Sequence, residues 1–518
     1  MKRILSLLVY GLLVFLMLTA CTKSGTGETS AENQTVSGGT EKKEQTESVK
    51  KDPVKLTMMV QNHPAFPLKE EWLIWKLHEE NANVDLKVST YQGNWWEAIP
   101  LVVASGDMPD LMWMPSGSSI TYGGQGALVD FLEHLNKMPN MKAFMDKYPE
   151  EVAPLLSVDG KMYMHPSHGS YGQYSSMYLY RKDIFDKHQL ILPNTYEELY
   201  ATMKKLKELY PESNPFYFPG LDEFGRLGLS LGIHYDFFYD PDSKTVKYGP
   251  SESNYKYLLD FVANAYKDRL IPMEFGNLNF QKLQEMLTNN KTFIYYGWES
   301  ETGIDELTPV MRESNPEFTL AFMPPVAGPD GKRYNARQSL VGEGLTAATT
   351  SKNIEAALAY IDYLFTEKAK EAVSWGQEGV TFKVADGKKQ YLPAVLSQAN
   401  ASINFGLRTS GNMAWVDEES LQALKSEQAR AAYEEGLNYL APMSQLPPLT
   451  KDENDNISLK RSAVKKYSAQ EISKFVLGEK NLREWDAYIA ELKKLGLDEI
   501  LKKYNDAEAR RQQQIANK

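Results

Sequence analysis

The sequence predicts an α/β protein of two lobes, and three observations carry that prediction. The body from Pro53 to Lys518 is too long for one hydrophobic core at roughly 100–200 residues per domain, and it has no disulfide to staple it, because Cys21 is the only cysteine of the 518 residues. It opens with a strand, a helix and a second strand in alternation. The order of helix, strand and Gly-Trp turn returns near residue 290, as if a second lobe repeated the layout of the first.

Ahead of the body, Lys2 and Arg3 lead into ILSLLVYGLLVFLML, an apolar run of signal-peptide length that falls short of the ~20 residues of a comfortable membrane span. Residues 1–20 are therefore expected to be an export signal. Leu18, Thr19, Ala20 and Cys21 follow: two small residues that let a peptidase approach the backbone, then a thiol that can accept a diacylglyceryl group. An unpaired thiol is otherwise a liability in an exported protein, so Cys21 is expected to be a lipidated anchor. Residues 21–52 have no aromatic side chain and almost nothing apolar, so burial cannot offset the entropy of ordering them. They read as a flexible tether with a reach of roughly 30 Å. Losing residues 1–20 takes Lys+Arg from 57 to 55 against 68 Asp+Glu, a mature charge of −13. An acidic surface argues against nucleic acid and against electrostatic adsorption to anionic lipid.

The elements follow in order. VKLTMMV (54–60) and VDLKVST (84–90) read as strands, with EEWLIWKLHEE between them as a helix. In NWWEAIPLVVASGDMPDLMWM a helical stripe of Trp96, Ile99, Val102 and Val103 is expected, with Gly106 as C-cap, Pro109 as a block and Asp110 leading into a short buried strand. PSGSSITYGGQGALVDF reads as loop. Asp159-Gly160 is a turn signal, and KMYMHP alternates like the strand leaving it. MYLYRKD is a further strand running into a short helix; Thr195, with Glu198 three residues later, predicts a capping box on the helix of PNTYEELYATMKKLKELY.

NFQKLQEMLTNN predicts a helix burying Phe280, Leu283 and Leu287, before the strand TFIYY. Ile354, Ala357, Leu358, Ile361, Leu364 and Phe365 mark the clearest helix of the chain, capped by Ser351 or Asn353. The last hundred residues are mainly helical, with the end past Asn505 expected to fray. No short-period repeat appears.

Catalytic motifs are absent from the sequence: there is no HExxH, GxSxG or P-loop. His165 and His168 have an HxxH spacing, but proline and glycine follow them, so they share no helix face and no metal site is expected. Paired carboxylates of a glycosidase can be far apart in sequence, and acidic residues are too common here to discriminate. An adhesin would show repeats or a β-rich pattern, and neither is present.

ASGDMPDL (104–111), DGKMYMHP (159–166), YRKDIFDKHQLILPNTYEEL (180–199), SKNIEAALAYIDYL (351–364) and WGQEG (375–379) stand in this order behind the lipobox-like LTAC. Together they resemble the extracellular solute-binding proteins of carbohydrate ABC importers, in particular the long lipoprotein members of Gram-positive bacteria. The resemblance implies a type II periplasmic-binding-protein-like fold: two α/β lobes joined by crossing hinge strands, a ligand cleft between them, and a helical C-terminal region. The first lobe is expected in residues 53–166 and 339–395, the second in 167–338 and 396–518. Hinges are expected near Pro166–Tyr174, Arg337–Gly344 and the segment ending at Trp415.

The implied function is capture of an oligosaccharide by lobe closure and its delivery to an ABC permease, by a membrane-anchored monomer on the extracellular face that needs no cofactor. A receptor for peptide or another solute is the alternative, and a surface glycoside hydrolase is a third reading. Some long relatives, alginate-binding ones among them, resemble an EF-hand in the loop after the helix that here ends in YPESNPFYFPG. This loop lacks the alternating oxygen ligands and central glycine that Ca²⁺ needs, so no calcium is expected there.

A sugar presents apolar C–H faces and a rim of hydroxyls, so its cleft needs aromatic platforms beside planar hydrogen-bonding groups. The candidates in loops after strand ends or at the presumed crossings are Trp113, Ser116, Tyr122, Tyr171, Tyr174, Trp298, Glu299, Arg337, Trp375 and Trp415. Trp298 leads them, because Gly297 lets the backbone turn beyond the strand TFIYY. Trp72, Trp96 and Trp485 lie on apolar helical stripes and are expected in the core.

Overall fold

Alternating apolar residues give the first two strands their buried faces: Leu56, Met58 and Val60 in one, Val84 and Leu86 in the other. The computed structural model describes residues 52–516 apart from 65, 170–175, 219–224, 275–278, 299–302 and 338–341. The expectations for Cys21, the tether up to residue 51, Tyr171, Tyr174 and Glu299 lie outside the described residues. Twelve strands are described: β1 (Val54–Val60), β2 (Val84–Thr90), β3 (Leu111–Pro115), β4 (Ser176–Arg181), β5 (Phe216–Tyr217), β6 (Phe237–Asp240), β7 (Thr245–Tyr248), β8 (Ile294–Trp298), β9 (Leu320–Phe322), β10 (Glu343–Ala347), β11 (Phe382–Ala385) and β12 (Lys388–Tyr391).

Two four-stranded sheets organise the lobes. The first has the order β10-β3-β1-β2, with β1, β2 and β3 parallel and β10 antiparallel to β3. The second has the order β5-β8-β4-β9, with β5 parallel to β8, and β4 antiparallel to both β8 and β9. One apolar core packs around the first sheet, from Leu56 to Met164 and again from Leu345 to Val416. A second covers one face of the other sheet and takes in the C-terminal helices from Ile457 to Tyr504; a third, smaller cluster covers its opposite face.

Stretches that carry the family resemblance have structural work. Asp110 accepts from the Thr57 N–H and hydroxyl, each at 2.8 Å, and from Ser351 at 2.5 Å, tying the entry of β3 to β1 and to the turn after β10. Burial raises its pKa, but these hydrogen bonds outweigh that and hold the carboxyl below its ordinary value. Arg181, fully buried at the end of β4, pairs with Asp183 at 2.6 Å and donates to the Leu287 carbonyl and Asn290.

Several expectations are corrected. Ser116–Gly124 is a helix and not a loop. Its small residues weaken intrinsic propensity, but Gly123 lies so close to the Tyr163 ring that a Cβ would fall 2.1 Å from it, so packing decides. The Asp159-Gly160 turn forms, with Gly160 at φ 77°, yet the strand expected after it is reduced to a single bridge, Leu156↔Met162. That segment instead donates from Met162 N–H to Asp130 and from His165 N–H to the Leu345 carbonyl, and its Met162 carbonyl accepts from Phe131 N–H.

Thr195 caps its helix, accepting from Glu198 N, but the Glu198 carboxylate returns to Asn194 N–H rather than to Thr195. Phe280 is 40% exposed, and the helix Phe280–Thr288 buries Leu283, Met286 and Leu287 instead. Residues 396–416, assigned to the second lobe, pack with the first core through Ala401, Leu407, Met413, Ala414 and Val416.

The C-terminal end does not fray at Asn505. The helix Leu497–Ala516 continues, with Ala507 and Glu508 buried and Arg510 held bidentate by Glu453 at 2.9 Å. That arginine, together with the cap formed with Thr450, holds Glu453 down to about 2. Trp72 and Trp485 are in cores as expected. Trp96 is not: the helix Trp95–Ser105 buries Trp95, Ala98 and Ile99 and leaves Trp96 52% exposed.

Candidate interlobe ligand site

Strand direction locates the site. Because β1, β2 and β3 run in parallel, their carboxyl ends share one edge, and antiparallel β10 begins at that edge with Glu343. In the second sheet the carboxyl ends of β5, β8 and β9 share an edge with Ser176, the first residue of β4. The chain leaves the first lobe by a segment that ends at Ser176 and returns by one that ends at Glu343, so each crossing arrives at a carboxyl edge. Ligands of open α/β sheets bind outside those edges.

The first exit of the chain from the first core, at His168, runs beside its last, at residues 414–416, and the two are the paired crossings. His168 N–H donates to the Ala414 carbonyl and Val416 N–H to that of His168, each at 2.9 Å. Gly169 is required here: its φ is +74°, and a Cβ would lie 2.4 Å from the Val416 carbonyl oxygen. His168 Nδ1 also contacts Glu151 at 2.6 Å, and its ring stacks on Tyr148 at 4.0 Å.

The edge of the second sheet carries a connected group of side chains. Trp298, last residue of β8 and half-buried, stands opposite Ser176 in the antiparallel register. The Arg226 guanidinium lies 4.4 Å from the centroid of the Trp298 ring and donates to Ser176 Oγ at 2.9 Å. Ser176 Oγ is 2.7 Å from the Tyr296 hydroxyl. The arginine thus braces one face of the indole and is itself held by the strand beside it.

Arg226 also lines a cavity of about 230 Å³, with His234, Tyr235, Arg337 and Met443 from the second lobe and Pro154 from the first. A second cavity, of about 280 Å³, separates Leu396–Gln398 from Ile304–Glu306, but its walls hold no aromatic side chain. The first therefore fits a sugar better, because aromatic and planar polar groups meet there.

The sequence candidates divide. Trp298 and Arg337 come together through Arg226. Ser116 begins a helix at the carboxyl end of β3, half-buried, with its N–H on the Gly342 carbonyl at 3.0 Å. Tyr122 is half-buried against the first core. Trp415 adjoins the paired crossings, its ring 4.5 Å from Lys370 Nζ and 5.7 Å from Phe144.

Trp113 and Trp375, expected as platforms, are packing residues, each 1% exposed. Trp113 sits mid-strand with its indole N–H on Glu343 at 3.0 Å; Trp375 donates to Asp417 at 2.8 Å and stacks on Tyr391. Arg226, Ser176, Tyr296, His234 and Tyr235 were not singled out by sequence, since only strand register and loop return bring them to one place.

Among the described residues no group of three or more His, Cys, Asp or Glu side chains could hold a metal ion. In the loop after the helix Tyr196–Leu209, the Ser213 carbonyl takes the Lys207 ammonium, and Asn214 Nδ2 donates to the carbonyls of Arg269 and Ile271. Nor is any described helix long and apolar enough to cross a membrane.

Known proteins share this architecture. The fructooligosaccharide ABC transporter substrate-binding protein FusA of Streptococcus pneumoniae is 22% identical over 494 residues, covering 87% of this chain and 90% of that one. Its structure with kestose superposes with a TM-score of 0.70 at 21% identity, covering 90% of this chain and all of that one. The alginate-binding protein AlgQ2, solved without calcium, gives a TM-score of 0.76 at 22% identity over 88% of this chain and 98% of its own. The polygalacturonan/rhamnogalacturonan-binding protein YtcQ of Bacillus subtilis is 22% identical over 452 residues, 78% of this chain and 81% of its own. These relatives are named as binding proteins. The model of the bacterial extracellular solute-binding protein family matches residues 67–371, more than half of the chain, and the chain belongs to that family.

Proposed function

We propose that this protein captures an oligosaccharide between its lobes, closes over it without altering it, and hands it to an ABC permease. The observation that carries the reading is Trp298, an aromatic surface at a carboxyl sheet edge, braced by Arg226 beside a cavity that both lobes line. Similarity to fructooligosaccharide-, alginate- and polygalacturonan-binding proteins supports a sugar over a peptide. The lack of a catalytic motif in the sequence supports binding over hydrolysis. The protein is held to the outer face of the cell membrane by lipid on Cys21 and works as a monomer; mass spectrometry of the membrane-extracted protein should find Cys21 modified and first, and an unmodified start beyond it would remove the anchor.

Calorimetry against neutral and uronic oligosaccharides of two to five residues, with the sugars analysed afterwards, tests the function. Saturable binding with intact sugar is expected. Cleaved sugar would make the protein a hydrolase, and binding of peptides in place of sugars would make it a peptide receptor.

A further inference from the structure

Of the nine tryptophans, only Trp96 is more than half exposed. The helix Trp95–Ser105 anchors itself by Trp95, Ala98 and Ile99, and one step along the chain places Trp96 about 100° round from Trp95. No ring contact or cation–π contact engages the Trp96 indole among the described residues, and the backbone N–H of Trp96 donates to Asn94 Oδ1 at 2.9 Å. An aromatic surface of this size left open to water is unusual, because its burial would normally contribute to the core.

Its place in the fold gives the exposure a use. The chain leaves the carboxyl end of β2 at Thr90 and turns through Gly93, at φ +120°, into the helix, so the first helical turn stands at the carboxyl edge of the first sheet. On the same edge Ser116 begins its helix and Glu343 begins β10. Beyond the end of neighbouring β1, His63 and Phe66 stack with ring centroids 4.0 Å apart and planes within 9°. In the sheet order, β2 is the strand farthest from β10, three strand spacings or about 14 Å away.

A protein partner would call for a contiguous apolar patch. The strongly exposed Leu101 lies about 140° round from Trp96, and only exposed Pro100 and half-buried Val103 continue along the face of the indole, a strip one side chain wide and not the broad patch of a protein interface. A single flat ring at a sheet edge matches the apolar C–H face of a sugar instead. We propose that Trp96 is a sugar platform of the first lobe, stacking on an outer ring of the oligosaccharide at the end of the cleft remote from β10. The proposal rests on the oligosaccharide-binding reading.

The test is calorimetry of the wild type, Trp96→Ala and Trp96→Phe with the same neutral and uronic oligosaccharides, two to five residues long, alongside thermal melts. Trp96→Ala should weaken the longest bound sugar about 10- to 100-fold, an effect of hot-spot size. It should leave the shortest bound sugar and the melting temperature nearly unchanged, and Trp96→Phe should recover most of the affinity. An alanine variant that binds every length like the wild type overturns the platform and leaves the oligosaccharide reading intact. Equal loss at all lengths with an earlier melt shows a structural residue and overturns the platform too. A wild type that binds no sugar overturns both.

Discussion

Trp113 and Trp298 occupy comparable strands and have different fates. Each lies on an interior strand of a four-stranded sheet, β3 between β10 and β1, and β8 between β5 and β4. Trp113 is the third of five residues in its strand and is 1% exposed, with its ring near His165 and its N–H on Glu343. Trp298 is the last of five in its strand and only half-buried, under Arg226. Two positions along a strand keep a side chain on the same face but move it by nearly 7 Å toward the edge. Distance from the carboxyl end, more than residue type, separates the buried ring from the half-buried one.

The strongest way to break this contrast is Trp113→Ala. Removing a fully buried indole should cost about 3–5 kcal/mol of folding stability, and it would also take the hydrogen-bond donor from Glu343, whose carboxyl burial already pushes upward. Denaturant unfolding measures the loss. Sugar binding at low temperature should survive, and a variant of unchanged stability would remove Trp113 from the core.

Acid probes the same region. His165, fully buried beside Trp113, is lowered by burial to about 4, despite a contact of its Nδ1 with the Pro166 carbonyl at 2.7 Å. The unfolded chain takes up its proton near 6.5, so between pH 6.5 and about 4 the unfolded state binds more protons. Stability is therefore complete above pH 6.5 and lost as pH falls toward 4, by about 3 kcal/mol for this group. His78, lowered by burial to about 3, and His234, to about 4, add to the same fall. Unfolding free energy measured against pH should slope across this window and flatten in part in His165→Asn; a level curve would contradict a neutral buried imidazole.

The smallest effect sharpens the other side. Arg226→Lys keeps the charge but loses the flat guanidinium over the Trp298 ring, and should weaken sugar binding by about 1 kcal/mol without lowering the melting temperature. Unchanged affinity would show that the indole needs no brace.

Much of the fold was legible because local rules and packing agree. The pairing of β1 with β2, Gly106 at φ 71° ending its helix, and the buried stripe of Ala357, Leu358 and Ile361 form as the sequence predicts, although that helix stops at Tyr363 and neither Ser351 nor Asn353 gives it a side-chain cap. The failures arise where packing overrides local preference. The glycine-rich helix Ser116–Gly124 depends on the Tyr163 ring, and the C-terminal helix on Arg510 reaching Glu453 across the fold. The stripe read through Trp96 fails for the same reason, since packing buries Trp95, Ala98 and Ile99 instead. The candidate site was pointed to at Trp298 by the strand TFIYY, although the ladder runs on through Gly297 to Trp298 and does not turn there, whereas Arg226 and Ser176 are brought to it by register and loop return.

The most direct test of the central claim is a paired measurement on Trp298→Ala, namely its affinity by calorimetry for the tightest-binding sugar and its melting temperature. The variant should lose about 2–4 kcal/mol of binding, the range of an interface hot spot, and melt close to the wild type. A variant that melts early yet binds normally at low temperature would make Trp298 a packing residue like Trp113 and move the site elsewhere.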